Sequence, residues 1–326
     1  MNRRRKVLAA LGLGALAGTR PALGQQPAKV FRVGLLHVGN DHKPPSYEPL
    51  LEGMRALGYV EGRNIRYDFQ NVADNQAALD AARAFGRERV DMVIAFDQEA
   101  CDAAHKASTT IPIVMINVAN AVEAGFAKSL AYPGGNMTGF AGRAEMAAKE
   151  LEILKDMGPK IARVLLLFDP RDPGSIGWRE DARTGARVLG MALLERGASD
   201  ANEIDAVFAK LKPGDAQAVT FASASLRHRR QMQVLALAQK HGMPMVGSRK
   251  EMVEKGALFA YSYDFAKVGR LAASRYVDRI LKGKKPADLP IEEFTEYQLT
   301  VSRPVATRYG LTFSLPVLLR AETVIE

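Results

Sequence analysis

The sequence contains a single cysteine and lacks several short motifs that indicate a catalytic or nucleotide-binding site. Cys101 alone cannot form an internal disulfide, so the fold has to be stabilised by its hydrophobic core. A Walker motif, a glycine-rich dinucleotide fingerprint and a Gly-x-Ser-x-Gly elbow are all missing, which removes the usual sequence signals for nucleotide binding and serine hydrolysis. Hydrophobic residues make up 47% of 326 residues, enough for one large or two medium domains.

The first 24 residues predict an export signal peptide. Residues 3–6 are basic, residues 7–18 form an apolar stretch too short for a membrane span, and residues 22–24 give a small-x-small cleavage pattern. Residues 4–9, RRKVLA, also fit the twin-arginine pattern, so export by the Tat or the general route stays open. We therefore expect a periplasmic protein.

The charge of the remaining chain is ordinary. Removal of residues 1–24 leaves 40 basic and 36 acidic residues, a net charge of +4, which does not indicate a nucleic-acid partner. The basic cluster at 227–230, RHRR, begins a predicted helix whose apolar face contains Met232, Leu235 and Ala238. We interpret this cluster as a solvated helix face.

From residue 30 onward, short apolar runs alternate with amphipathic stretches. The runs are continuously apolar, as parallel strands covered on both faces must be, and repeated strand–helix units predict an α/β fold with doubly wound, mainly parallel sheets. Residues 64–70, NIRYDFQ, alternate in polarity and predict a half-exposed edge strand. The apolar runs span residues 33–38, 91–96, 111–116, 163–168, 217–222 and 244–247.

The number of predicted strands, about ten, is large for one such sheet. The turn-rich segment YPGGNMTGF, residues 132–140, offers a place to divide them. We predict two lobes joined by a hinge with several chain crossings. The predicted N-terminal lobe comprises residues 28–161 and 265–291, and the predicted C-terminal lobe comprises residues 162–264 and 292–326.

Several long segments resemble one family. They are MRALGYVEGRNI (54–65), TTIPIVM (109–115), LAYPGGNMTGF (130–140), ILKGKKPADLPIE (280–292) and LTVSRPVATRYGLTFSLPVLLRAETVI (299–325). In this order they resemble ABC-transporter substrate-binding proteins related to the tryptophan/tyrosine-binding proteins. The resemblance implies a two-lobed periplasmic-binding-protein fold and a non-enzymatic receptor, without a cofactor or metal. It implies that this receptor binds a small solute between its lobes and delivers it to an ABC permease in the inner membrane. We expect a monomer.

The ligand should lie at the carboxyl ends of the strands, where helix N-termini also favour anions. The loops at these ends carry amides, hydroxyls, carboxylates and an aromatic ring, which suits a zwitterionic solute. Its carboxylate would meet Ser175, and its ammonium would meet Asp97, Asp169 or Asp172. The predicted ligand-binding residues are Asn40, Asp97, Gln98, Asn120, Asp169, Asp172, Ser175, Ser223, Ser248 and Tyr263.

Some of these positions depart from the family's pattern. Residues 168–175, FDPRDPGS, resemble its NPANPGS loop, with Asp169 and Asp172 where asparagines are usual. Asp97-Gln98 replaces a usual Gly-Thr, and Asn120-Ala121 replaces a usual Asp-Pro. Because these changes lie where the ligand should bind, the family's aromatic or branched amino acids cannot simply be carried over. An added Asp97 favours a cationic or amine-bearing solute.

Other interpretations stay open. Asp169 and Asp172 could merely cap the turn and the following helix, and a hydrolase could use Asp97 and Asp169 as its carboxylates. A periplasmic sensor for a membrane signalling protein would use the same closure as a transport receptor. His37 with Asp41 and His42 could bind a metal, but His37 lies on an apolar strand, which favours a core histidine.

Overall fold

The computed structural model of the protein describes residues 29–39, 43–119, 121–142, 146–158, 161–172 and 174–326. The predicted export peptide, together with Asn40, Asp41, His42 and Asn120, lies outside these residues. None of the helices in these segments is long and apolar enough to cross a lipid bilayer.

Thirteen strands are found in the described segments. In chain order they are β1 (Phe31–Val38), β2 (Ile65–Val72), β3 (Met92–Ala95), β4 (Ile113–Ala119), β5 (Met137–Gly142), β6 (Arg163–Phe168), β7 (Ala192–Gly197), β8 (Ala218–Phe221), β9 (Val246–Gly247), β10 (Phe259–Tyr263), β11 (Glu292–Glu293), β12 (Tyr297–Ser302) and β13 (Thr323–Ile325).

The same segments contain thirteen α-helices. They are α1 (Tyr47–Ala56), α2 (Asn75–Arg87), α3 (Gln98–Ala107), α4 (Met146–Asp156), α5 (Gly174–Leu189), α6 (Ala201–Ala209), α7 (Ala224–Arg229), α8 (Gln231–Lys240), α9 (Lys250–Glu254), α10 (Phe265–Ala272), α11 (Asp278–Leu281), α12 (Arg303–Arg308) and α13 (Leu315–Arg320). A π-helical turn (Ala273–Val277) joins α10 to α11, and a 3₁₀ turn covers Pro286–Asp288.

The first lobe contains a six-stranded parallel sheet in the order β11-β5-β4-β3-β1-β2. Its two faces are covered by different helices. Leu35 points into a core shared with α1 and α10, whereas Leu36 points into a core shared with α2 and α3. This alternation explains why the β1 sequence is apolar without a break. The segment predicted as an edge strand forms β2, at the edge of the sheet.

The second lobe contains a parallel sheet β7-β6-β8 and a mixed sheet β13-β12-β10-β9. A single parallel bridge between Val219 and Met245 joins them, and the pair β10–β12 is antiparallel. One core lies beneath α4, α5, α12 and α13, and another lies beneath α6, α8 and α9. Together the two lobes confirm the predicted two-lobed α/β fold.

The packing divides the chain differently from the predicted boundaries at two places. Helix α4, which the prediction assigned to the first lobe, packs against α5, because its apolar residues Ala147, Leu151 and Leu154 belong to the second lobe's core. Strand β11, which was assigned to the second lobe, pairs with β5 in the first sheet.

The chain therefore crosses between the lobes after β5, after β10 and after β11. These three crossings converge on an aromatic cluster. The Tyr263 ring packs against Phe294 at 5.7 Å and against Tyr297 at 4.8 Å, measured between ring centroids. At the first crossing, a Cβ atom added to Gly142 would lie 2.5 Å from the Tyr263 hydroxyl. We call Phe140, Gly142, Tyr263, Phe294 and Tyr297 the hinge cluster.

Candidate functional site

A cleft lies between the two lobes, at the carboxyl ends of the strands, where the loops to the following helices begin. Its described part contains a cavity of about 410 Å³. The first lobe contributes the beginnings of α2 and α3, and the second lobe contributes the β6–α5 loop, the β7–α6 loop and α7. The lining residues are Asp74, Asn75, Gln76, Gln98, Glu99, Asp102, Asp169, Arg171, Asp172, Ser199 and Arg229.

Asp97 begins helix α3 and is 5% exposed. Its Oδ1 accepts a hydrogen bond from the Ala100 backbone N–H at 2.8 Å, and its Oδ2 accepts one from the Val38 N–H at 2.9 Å. His37 donates to the same Oδ2 through Nδ1 at 2.6 Å. The carboxylate thus caps α3 and ties it to the end of β1, behind the cavity lining rather than in it.

Gln98 follows directly and lines the cavity, although the residue is only 8% exposed. Its side-chain amide lies near the Asp102 carboxylate, one turn further along α3. Its Oε1 is buried and has no hydrogen-bond partner among the described residues. Burial raises the pKa of Asp102, and nearby Lys106 and Gln98 oppose this shift.

A hydrogen bond between an arginine and a glutamate spans the cleft from one lobe to the other. The Arg229 guanidinium on α7 donates to Glu99 Oε1 on α3 at 3.3 Å. Burial, together with the nearby Asp97 carboxylate, raises the pKa of Glu99 to about 8, and Arg229 opposes the shift. The two lobes therefore approach closely enough at α3 and α7 for side chains to interact directly.

On the second lobe, Asp169 ends β6 and is 6% exposed. Its Oδ1 accepts hydrogen bonds from the Arg171 backbone N–H at 2.9 Å and from the Ser199 hydroxyl. The Arg171 guanidinium lies 3.7 Å from the same oxygen. Asp169 thus fixes the β6–α5 loop against the β7–α6 loop and also forms part of the cavity wall.

Asp172 lies in the same loop. Its Oδ1 accepts from the Gly174 backbone N–H at 2.9 Å and its Oδ2 from the Ser223 hydroxyl at 2.8 Å. Burial raises the pKa of Asp172, and these two hydrogen bonds oppose the shift. Ser175 is buried, and its hydroxyl has no hydrogen-bond partner among the described residues.

A buried ion pair lies behind the part of the cavity wall that the second lobe contributes. Arg227 on α7 contacts Glu150 on α4, and Arg227 also donates to the Gly247 carbonyl at 3.0 Å. Thr220 donates to the other oxygen of Glu150 at 2.7 Å. The interpretation of residues 227–230 as a solvated basic face is therefore wrong for Arg227, which is 3% exposed, because α4 supplies a buried carboxylate beneath it.

Comparison with known proteins decides the family. Residues 36–325 match the model of the family described as ABC transporter substrate binding protein. The chain belongs to this family. It is 26% identical over 253 residues to a tyrosine-binding protein of Clostridioides difficile (strain R20291), an alignment that covers 77% of this chain and 72% of the relative. This substrate-binding protein thus belongs to a family of solute binders, which is a non-enzymatic class.

Solved structures agree with the two-lobed fold of the substrate-binding protein. A conserved domain protein from Vibrio cholerae superposes with a TM-score of 0.81 at 24% identity, over 91% of this chain and 100% of that one. An ABC domain from Streptococcus pneumoniae in complex with L-Trp superposes with a TM-score of 0.82 at 22% identity, over the same shares of the two chains.

The structure of the substrate-binding protein brings some of the predicted ligand-binding residues together. Gln98, Asp169 and Asp172 line the cavity. Ser175 and Ser223 contact the Asp172 region from behind it. Ser248 donates to Gln231 at 2.6 Å, and Tyr263 lies in the hinge cluster, so neither contributes to this cavity wall.

Sequence reasoning missed Glu99, Asp102, Ser199 and Arg229, all of which line the cavity. A signal for the first two was available, because positions 98 and 102, and likewise 99 and 102, share one face of a helix that begins at a strand end. The described part of the chain contains no group of three His, Cys, Asp or Glu side chains placed to hold a metal ion.

Proposed function

We propose that this substrate-binding protein is the exported receptor of an ABC importer and binds a small amino-acid-like or amine-bearing solute between its lobes. The observation that carries the proposal is the cavity of about 410 Å³, whose walls come from strand-end loops of both lobes and carry an excess of carboxylates over guanidinium groups. The tyrosine-binding relative and the L-Trp complex of the structural neighbour support an amino-acid-like solute.

Eight of the ten predicted residues are retained as the proposed ligand shell, and Ser248 and Tyr263 are left out because they do not line the cavity. Gln98, Asp169 and Asp172 line the cavity, which supports direct contact between them and the solute. Asp97 already accepts three hydrogen bonds from the protein, so its direct contact with an ammonium needs a separate test. Ser175 is placed at the start of α5, where the helix N-terminus favours a carboxylate.

Closure of the lobes follows from the three chain crossings. A solute that contacts both walls stabilises the state in which α3 and α7 are close, and a hinge rotation at the crossings achieves this without changing either lobe. A permease in the inner membrane would then recognise the paired lobes. Removal of residues 1–24 during export would place the monomeric receptor in the periplasm.

The test is native mass spectrometry of protein exported by its host and purified without refolding, followed by calorimetry and small-angle scattering with the compound identified. We expect a bound small amine or amino acid, an intact mass without residues 1–24, and a smaller radius of gyration on binding. A tight ligand that leaves the radius of gyration unchanged would contradict closure. Chemical turnover of that ligand would contradict a transport receptor.

A further inference from the structure

The buried ion pair of the second lobe fixes helix α7 to the body of that lobe. Glu150 is fully buried, and the Arg227 guanidinium contacts its Oε1. The same guanidinium donates to the Gly247 carbonyl on β9 at 3.0 Å and lies 5.8 Å from the ring centroid of Trp178 on α5. Thr220 donates to the second oxygen of Glu150 at 2.7 Å. Arg227 therefore joins α7 to α4, α5 and β9 at a single point.

Helix α7 is too short to keep a fixed direction by itself. It has 6 residues, and isolated helices of this length are unstable in water. Successive residues of an α-helix are rotated by about 100°, so side chains two positions apart point in nearly opposite directions. Arg227 accordingly points into the second lobe, whereas Arg229 points into the cleft and donates to Glu99 of the first lobe at 3.3 Å. The direction of Arg229 thus depends on the side chain that anchors the opposite face of α7.

Stability alone does not require charged residues at positions 150 and 227. Burial removes the hydration of both groups, and replacement of a buried ion pair by apolar residues of similar volume often leaves stability unchanged or raises it. The planar guanidinium supplies something that an apolar side chain lacks, namely several donors with fixed directions. In Arg227 these donors meet acceptors on two different elements, α4 and β9, so they determine the orientation of α7 as well as its position.

We propose that Glu150 and Arg227 are positioning residues that direct Arg229 across the cleft, and that they thereby determine what fraction of the ligand-free protein is closed. This inference rests on the hinge closure of the proposed function and adds the residues that set the equilibrium between open and closed molecules. Neither Glu150 nor Arg227 lines the cavity. Their substitution should therefore change closure through Arg229, without removing a contact to the solute.

Double electron–electron resonance between spin labels on the two lobes tests the inference without any ligand. Arg87→Cys on α2 and Ala206→Cys on α6 supply exposed label sites, and the natural Cys101 is buried. We expect the labelled protein to show a closed population at the distance between the lobes seen in the structure. Arg229→Gln should lower the ratio of closed to open molecules roughly tenfold, as the loss of one hydrogen bond to a charged group implies.

The decisive variant replaces the buried pair by apolar residues. Glu150→Leu combined with Arg227→Met leaves no unpaired buried charge, so its midpoint of urea unfolding should equal or exceed that of the wild type. Its ratio of closed to open molecules should nevertheless fall as far as in Arg229→Gln, and adding Arg229→Gln to it should lower the ratio no further. Arg227→Lys, which keeps the charge but loses the planar fork, should cause a smaller loss. Glu180→Gln, an exposed change on α5, should leave the ratio unchanged.

The outcomes separate this inference from the proposed function. A closed population that Arg229→Gln reduces and the apolar double variant does not would overturn the positioning role. Should the double variant not fold, Arg227→Lys decides, and a ratio equal to that of the wild type would contradict the inference. Absence of a closed population in the wild type, or its persistence in Arg229→Gln, would also contradict it and leave solute binding to its own test by native mass spectrometry. Failure to retain or bind any solute would overturn the proposed function without changing these distances.

Discussion

The two lobes meet in two places that differ in chemistry. In the cleft, α3 faces the β6–α5 loop and α7, the side chains are carboxylates, an amide and arginines, and one hydrogen bond, between Arg229 and Glu99, spans the gap. In the hinge cluster, the contacts are aromatic: Phe140 packs edge-on against Phe294 at 5.5 Å, and Tyr263 packs against Tyr297 at 4.8 Å.

This difference in chemistry suits the hinge cluster and the cleft to different roles. Aromatic rings attract over a range of tilts and offsets, so the hinge cluster can stay packed while the angle between the lobes changes. Interactions between charges depend steeply on distance and on the solvent between them, so the cleft contacts differ strongly between an open and a closed state. We therefore expect the hinge cluster to keep the lobes together and the cleft contacts to determine how closely the lobes approach.

The largest expected effect comes from truncating the hinge cluster. Phe294→Ala should lower the free energy of unfolding by about 3–5 kcal/mol, because a buried phenylalanine leaves a cavity when it becomes alanine. Urea unfolding measures this loss. Phe208→Ala, a matched change in the second lobe's core, should cost a similar amount but leave the ligand-induced change in radius of gyration intact. If the ligand-induced decrease in radius of gyration is the same in both variants, the hinge cluster has no role in closure.

A smaller effect is expected at Asp97, on the cleft side. Asp97→Ala should lower the free energy of unfolding by about 0.5–2 kcal/mol, because it removes the cap of α3 and the acceptor for His37. Asp97→Asn retains an effective cap and removes only the charge. If its stability is near that of the wild type while the affinity for the identified solute falls tenfold or more, Asp97 contacts the ligand. Unchanged affinity would make Asp97 a purely structural residue.

The smallest expected effect is a pH dependence due to Glu99, which faces Asp97, Asp172 and Arg229. Its pKa is about 8 in the folded protein and 4.5 when unperturbed, so between these values the unfolded chain ionises this group while the folded chain keeps it protonated. The carboxyl therefore lowers the free energy of unfolding as the pH rises from about 4.5 to about 8.

Glu99→Gln should remove this decline in the free energy of unfolding with rising pH. Relative to the wild type, the variant should become more stable as the pH rises from 5 to 8, as measured by urea unfolding at both values. Glu48→Gln, a change on an exposed part of α1, provides the control. A stability difference between Glu99→Gln and the wild type that does not change with pH would contradict the raised pKa.

Much of the fold could be predicted from the sequence because parallel strands buried on both faces have a pattern that does not depend on distant residues. The runs at 33–38 and 163–168 each lie within or coincide with an observed strand, β1 and β6. Strand β11 has two residues and exists only through its pairing with β5, so no local pattern predicts it. The lobe to which α4 belongs could not be predicted either, because amphipathicity shows that a helix packs against a core but not which lobe that core belongs to.

The site was harder to predict because its contacts join residues that are far apart in sequence. The strand-end rule led to Gln98, Asp169 and Asp172. It could not show that Asp97 would accept a hydrogen bond from His37, which lies 60 residues earlier. Nor could it show that Arg229 would donate a hydrogen bond to Glu99, which lies 130 residues earlier. Asp102 was missed because a carboxylate in the second turn of a helix is common on any solvated surface.

The close packing of α1 on α10 has a consequence for the order in which the protein can be assembled. A Cβ atom added to Gly269 would lie 2.4 Å from the Ser46 carbonyl oxygen, so these two helices touch backbone to backbone although they are more than 200 residues apart. The second lobe likewise receives β12, the antiparallel partner of β10, only from residues 297–302. The first lobe therefore cannot acquire its final packing before residues 265–272 have been synthesised, and the second lobe cannot do so before residues 297–302 have been.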